Sequence, residues 1–172
     1  MSRANEEHTQ VRDAGVEDLD QVSLLIRDAY QEYQANFSPE VWERYSQDIM
    51  DVRSRLDTSE LIVAENSVRL VGAVTFYPNS FPSDHGGWPA GWTGIRLLAV
   101  HPDARGMGIA RVLMDECLLR SRLRSATALG LHTTELMGIA RGMYERMGFV
   151  QVPEYDFQAG PEVVVMGYRL EL

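Results

Sequence analysis

The stretch Val-His-Pro-Asp-Ala-Arg-Gly-Met-Gly-Ile-Ala, residues 100–110, restricts the fold of this chain more than any other. An apolar run from Ile95 to Val100 leads into it, and a helical pattern from Arg111 to Leu118 follows. The reading is a strand, a tight turn closed by Pro102 and Asp103, and a glycine-rich opening to a helix. Gly106 and Gly108 leave room for a ligand to lie against bare backbone. The first amides of a helix lack intrahelical acceptors and sit at its positive end, so an anion such as a pyrophosphate is favoured there. Arg105 adds a full positive charge just ahead of them. Together these features predict a diphosphate cradle in an α/β protein; the plain alternative is a glycine-rich connection that binds nothing. The stretch lacks the Lys-Ser/Thr pair of a P-loop, and the third glycine and downstream acid of a dinucleotide fingerprint.

The spacing Arg105-x-x-Gly108-x-Ala110 resembles the acyl-CoA-binding motif of the Gcn5-related N-acetyltransferase (GNAT) superfamily, Arg/Gln-x-x-Gly-x-Gly/Ala. A second segment, Ala140-Arg141-Gly142-Met143-Tyr144-Glu145-Arg146-Met147-Gly148-Phe149, is similar to the Ala-x-x-x-Tyr-Glu-x-x-Gly-Phe signature of that family's fourth helix. Gly148 reads as the stop of this helix and Phe149 as the start of the next strand. The resemblance covers most of the chain, although only these two stretches are specific. It implies one GNAT-like domain of α/β (α+β) class, with four helices and a mixed central sheet of about seven strands, the fourth and fifth splayed apart.

At 172 residues and 45% hydrophobic, the chain is expected to form a single globular domain over residues 9–172, with the polar residues 1–8 as a disordered tail. No apolar run is long enough to cross a bilayer, and no hydrophobic signal region follows Met1. The lone Cys117 cannot form an internal disulfide, which fits a reducing cytoplasm, and its helical setting marks a small core residue. A net charge of −9 argues against a nucleic-acid partner. That excess either draws in a cationic substrate such as an amine or serves solubility alone.

The coarse pattern gives a first strand over residues 9–14 and an amphipathic helix over 16–34, with Leu19, Val22, Ile26, Ala29 and Tyr33 at helical spacing. Ser38 caps a second helix with Pro39 at its first position, running to Asp57. Residues 61–65 and 69–77 form a hairpin around Asn66-Ser67. A fourth strand covers 95–100, a third helix 106–124, a fifth strand 128–133 and a fourth helix 138–147. Strands over 149–155 and 163–170 complete the order, which is that of the family. The stretch from Pro78 to Trp92 reads as a long loop with three large aromatics, Phe81, Trp88 and Trp92. It is either a substrate-facing wall, with Trp88 and His85 as contacts, or an insertion whose aromatics fold back onto the protein.

The resemblance also implies a mechanism. Acetyl-CoA, as acetyl-donor cosubstrate, would lie along Leu98, Ala99 and Val100, with its diphosphate on Arg105, Gly106, Met107, Gly108, Ile109 and Ala110. The Val100 amide would polarise the acetyl carbonyl. An amine acceptor would attack directly, and Tyr144 would return a proton to the leaving thiolate. The alternative for Tyr144 is a packing residue that only hydrogen-bonds the cofactor sulfur.

The sequence departs from the family where a general base is expected, since Gly94 and Arg96 replace the usual glutamate near the start of the fourth strand. His132 and Glu135 are candidates by location only. Met137 stands roughly where relatives often carry a cofactor-contacting asparagine. Neither zinc spacing nor a Gly-x-Ser-x-Gly elbow is present, so no metal is expected. Three readings remain: an N-acetyltransferase acting on a small-molecule or protein amine, a non-catalytic acyl-CoA sensor on the same fold, and a generic nucleotide-phosphate binder. Relatives commonly dimerise, which allows a homodimer that the residues themselves do not specify.

Overall fold

The structure, a computed structural model, describes residues 9–79, 87–161 and 163–172. Among them are strands β1 (Gln10–Asp13), β2 (Glu60–Glu65), β3 (Leu70–Tyr77), β4 (Trp92–Val100), β5 (Ala128–Thr134), β6 (Val150–Gln151), β7 (Phe157–Gly160) and β8 (Val163–Glu171). The helices are α1 (Leu19–Tyr30), α2 (Pro39–Met50), α3 (Ile109–Leu123) and α4 (Gly138–Arg146). Hydrogen bonding orders the strands β1-β2-β3-β4-β5-β8-β6, with β7 also on β8. The β4–β5 pair is parallel, whereas β1–β2, β5–β8, β6–β8 and β7–β8 are antiparallel. None of the described helices is long and apolar enough to cross a membrane.

The chain divides into two compact units. In the first, Met1–Thr75 with Leu97–Glu116, α1 buries Leu19, Val22, Leu25, Ile26, Ala29 and Tyr30. The helix expected over 16–34 is regular only over Leu19–Tyr30, with 3₁₀ turns at Val16–Asp18 and Gln31–Asn36, the second of which carries a half-buried Tyr33. Ser38 caps α2 by accepting from the Val41 amide, with Pro39 at the first position. The helix stops at Met50, short of the expected Asp57. Its carbonyls at Asp48 and Ile49 accept from the Arg55 guanidinium at 2.8 Å each, and the chain leaves through a 3₁₀ turn at Arg53–Arg55. The hairpin turn between β2 and β3 is closed by Asn66, whose side-chain oxygen accepts from the amides of Val68 and Arg69.

In the second unit, Phe76–Arg96 with Cys117–Leu172, β4 begins at Trp92 rather than Ile95, because Trp92, Thr93 and Gly94 pair with Ala128, Leu129 and Gly130. The strand expected over 149–155 is cut to β6 by Pro153, which has no amide to donate and opens a 3₁₀ turn. The chain then returns as β7, so the described residues form an eight-stranded sheet rather than one of about seven. Trp88 is buried, stacked on Trp92 at 5.5 Å and on His132 at 4.5 Å, with Tyr155 edge-on at 5.2 Å. The indole lies so close to β5 that a Cβ on Gly130 would fall 2.6 Å from it. Trp88 therefore folds back onto the protein, with a half-buried Trp92 packed against it. Phe81 and His85 lie outside the described residues.

Candidate functional site

The turn that delivers α3 is braced at its start. The amide of Asp103 donates to Nδ1 of His101 at 3.2 Å, and that of Ala104 to the His101 carbonyl at 2.8 Å. Gly106 and Gly108 follow with φ of +77° and +80°, backbone that side chains rarely adopt. A Cβ at either position would meet nothing within 4 Å, so this backbone faces open space. The first hydrogen bond into the helix runs from Val112 N–H to the Gly108 carbonyl at 3.1 Å. The amides before it are the ones a helix cannot satisfy internally. Ile109 is buried against Gly72 of β3 and anchors the turn, Met107 is exposed, and Ala110 is half-buried. Arg105 is engaged rather than loose: its Nη2 donates to the Ala29 carbonyl at 2.9 Å and meets Glu32 Oε1 at 3.0 Å.

Upstream, β4 is kinked. Leu97 has φ +55°, a left-handed conformation that costs a leucine about 1–2 kcal/mol. Strain of this kind persists only where the surroundings impose it, and it collects at functional sites. Burial along the strand changes there: Thr93, Gly94 and Ile95 are all buried, Arg96, Leu97 and Leu98 all half-buried, Ala99 buried and Val100 half-buried. The Leu98 carbonyl accepts from the Tyr30 hydroxyl at 3.4 Å. Tyr30, Glu32 and Leu97 were not singled out from the sequence. Nothing local distinguishes them, since the first two reach the turn and strand from a distant part of the chain.

Tyr144 lies on α4 in the second unit, buried and edge-on to Phe149 at 5.8 Å. The signature's glycine and phenylalanine close that helix. The Gly148 amide donates to the Glu145 carbonyl and the Phe149 amide to the Tyr144 carbonyl, with Gly148 at φ +98°: a Schellman stop. Glu145 accepts from the Tyr168 hydroxyl at 3.1 Å, and burial first, then this carboxylate, pushes the Tyr168 pKa up.

The candidates for a base divide. His132 is held in place, with Nε2 3.0 Å from the Tyr155 carbonyl and its ring between Trp88 and Phe157. Glu135 is exposed on a 3₁₀ turn ahead of α4. Gly94 is buried in the β4–β5 ladder, and Met137 occupies the N-cap of α4 without a side-chain cap. Among the described residues, no cluster of three His, Cys, Asp or Glu side chains could hold a metal ion.

Sheet order, kinked strand and open helix start define an α/β protein whose third helix presents uncovered amides. The model of the acetyltransferase (GNAT) family matches residues 26–149, well over half of the chain, and the chain belongs to that family. Solved structures share the fold. The PaiA N-acetyltransferase from Thermoplasma acidophilum, in complex with coenzyme A, superposes with a TM-score of 0.72 at 15% identity, covering 93% of this chain and 98% of that one. A GNAT family acetyltransferase from Brucella melitensis, in complex with acetyl-CoA, gives 0.63 at 23% identity, with 84% of each chain covered. A ribosomal-protein-alanine N-acetyltransferase from Brucella melitensis gives 0.66 at 20% identity, covering 95% and 99%.

Proposed function

We propose that the protein is an acetyl-CoA-dependent N-acetyltransferase that passes an acetyl group directly to a primary amine of a small molecule or protein. The observation that carries this reading is the pair Gly106 and Gly108, both left-handed and both open where a Cβ would stand, at the start of α3. Membership of the family supports it, as do the coenzyme A and acetyl-CoA held by two structures of similar fold. In this reading the backbone of Gly106, Met107, Gly108, Ile109 and Ala110, with Arg105, holds the diphosphate. Leu98, Ala99 and Val100 hold the pantetheine arm. Acetyl-CoA supplies an activated acetyl thioester. The Val100 amide donates to the acetyl oxygen as negative charge builds there. Tyr144 carries the proton that the departing sulfur needs, a phenol being protonated at neutral pH. The chain's net charge of −9 favours a cationic acceptor.

Thiol release from acetyl-CoA across a panel of amines tests the activity. Tyr144→Phe is expected to lower kcat by about 100-fold, the lower range for a general acid. Unchanged turnover would remove Tyr144 from the chemistry. A second reading, a non-catalytic acyl-CoA sensor, draws on Gly94 and Arg96, which put no carboxylate where relatives carry one. Coenzyme A binding without thiol release from any amine in the panel would select it.

A further inference from the structure

The C-terminal end of α1 is tied to the proposed cofactor segments at two points. Arg105 Nη2 donates to the Ala29 carbonyl and meets the Glu32 carboxylate, and the Tyr30 hydroxyl donates to the Leu98 carbonyl. Glu32 lies on the 3₁₀ turn Gln31–Asn36, beside Tyr33, whose ring packs edge-on to Tyr30 at 5.9 Å. Tyr33 registers both charges: burial and Glu32 push its pKa up, while Arg105 opposes them. The guanidinium assigned to the diphosphate is thus already engaged by a carboxylate of the same chain. Arg105 and Glu32 are each roughly half exposed (44% and 48%), a setting in which an ion pair is weak and readily exchanged. The bond from Arg105 to Ala29 does not depend on Glu32, so the guanidinium keeps an anchor when that carboxylate is neutralised.

We propose that Glu32 is an internal competitor for the cofactor's diphosphate and sets its affinity by occupying Arg105. The inference rests on the acyl-CoA reading of the turn. A diphosphate carries more negative charge than one carboxylate and also reaches the open amides of Gly106 and Gly108, so it displaces Glu32 at a cost in affinity. The experiment is a thermodynamic cycle. Coenzyme A is titrated calorimetrically, to millimolar concentration, into the wild type, Glu32→Gln, Arg105→Gln and the double variant. Glu32→Gln is expected to bind about two- to fivefold more tightly, the range of an exposed ion pair, and to give no gain in the Arg105→Gln background. Unchanged or weaker binding by Glu32→Gln would overturn the proposal, because Glu32 would then be inert or would position Arg105. An equal gain with and without Arg105 would also overturn it, since the effect would be general charge repulsion. Absence of coenzyme A binding by the wild type would be a different failure, removing the acyl-CoA reading and this inference with it.

Discussion

Two sets of glycines in this protein serve opposite ends. At Gly106 and Gly108 an added Cβ meets nothing within 4 Å, and the residue is demanded by left-handed backbone. At Gly130 and Gly167 an added Cβ would stand 2.6 Å from Trp88 and 2.8 Å from Tyr155, and the residue is demanded by lack of room. The first pair holds backbone open toward solvent, where a ligand can use it. The second pair is already filled by the same chain, Gly130 by the Trp88 ring and Gly167 by the Cβ and backbone of Tyr155. Left-handed backbone facing space marks Gly106 and Gly108, whereas lack of room marks Gly130 and Gly167.

Substitution separates the two uses. Gly130→Ala drives a methyl into the Trp88 indole and is expected to cost about 2–3 kcal/mol, the upper range for overpacking, read by denaturant unfolding. A loss below about 0.5 kcal/mol, the scatter of ordinary surface changes, would show that the ring moves aside freely. Gly108→Ala is expected to cost only about 1 kcal/mol of stability, from the left-handed backbone. Its larger consequence is on ligand: coenzyme A affinity should fall by about tenfold, equivalent to 1.4 kcal/mol, while in Gly130→Ala the folded fraction binds normally. Equal affinities in the two variants would erase the contrast.

The smallest effect is a titration. The side-chain hydrogen bond from Arg12 holds the carboxyls of Asp18 and Glu65 below their ordinary values. Their folded pKa lies below the unfolded one, so this stabilisation is present above about pH 4 and lost as pH falls through the folded values. Melting temperature followed from pH 7 to pH 3 should drop, and Asp18→Asn should flatten the drop. Parallel profiles for the two proteins would contradict this.

The two regions also differ in how far they could be read from the residues. The glycine-rich turn into α3 was legible because its signals are local: a Pro-Asp turn, two glycines and an apolar helix face within a few residues. The α4 stop was legible for the same reason, through Gly148 and Phe149. The aromatic group was not. Trp88 and Trp92 sit in a stretch rich in turn formers, and only β5 and Tyr155, far along the chain, reveal Trp88 as core with Trp92 packed against it. The early start of β4 at Trp92 was hidden likewise, since it is set by pairing with Ala128. The stop of α2 depends on the Arg55 side chain reaching back to its carbonyls, which no propensity encodes. Within the candidate site, the contact of Arg105 with Glu32 and the left-handed Leu97 are products of tertiary structure.

The claim on which the functional account stands is that the uncovered amides at the start of α3 receive the diphosphate. The most direct measurement is amide chemical shift on titration with coenzyme A, using ¹⁵N-labelled wild type. The account predicts that the largest shifts fall on Gly106, Met107, Gly108, Ile109 and Ala110, with Gly130 and Gly167 little changed. Saturable binding that leaves those five amides unmoved would contradict it.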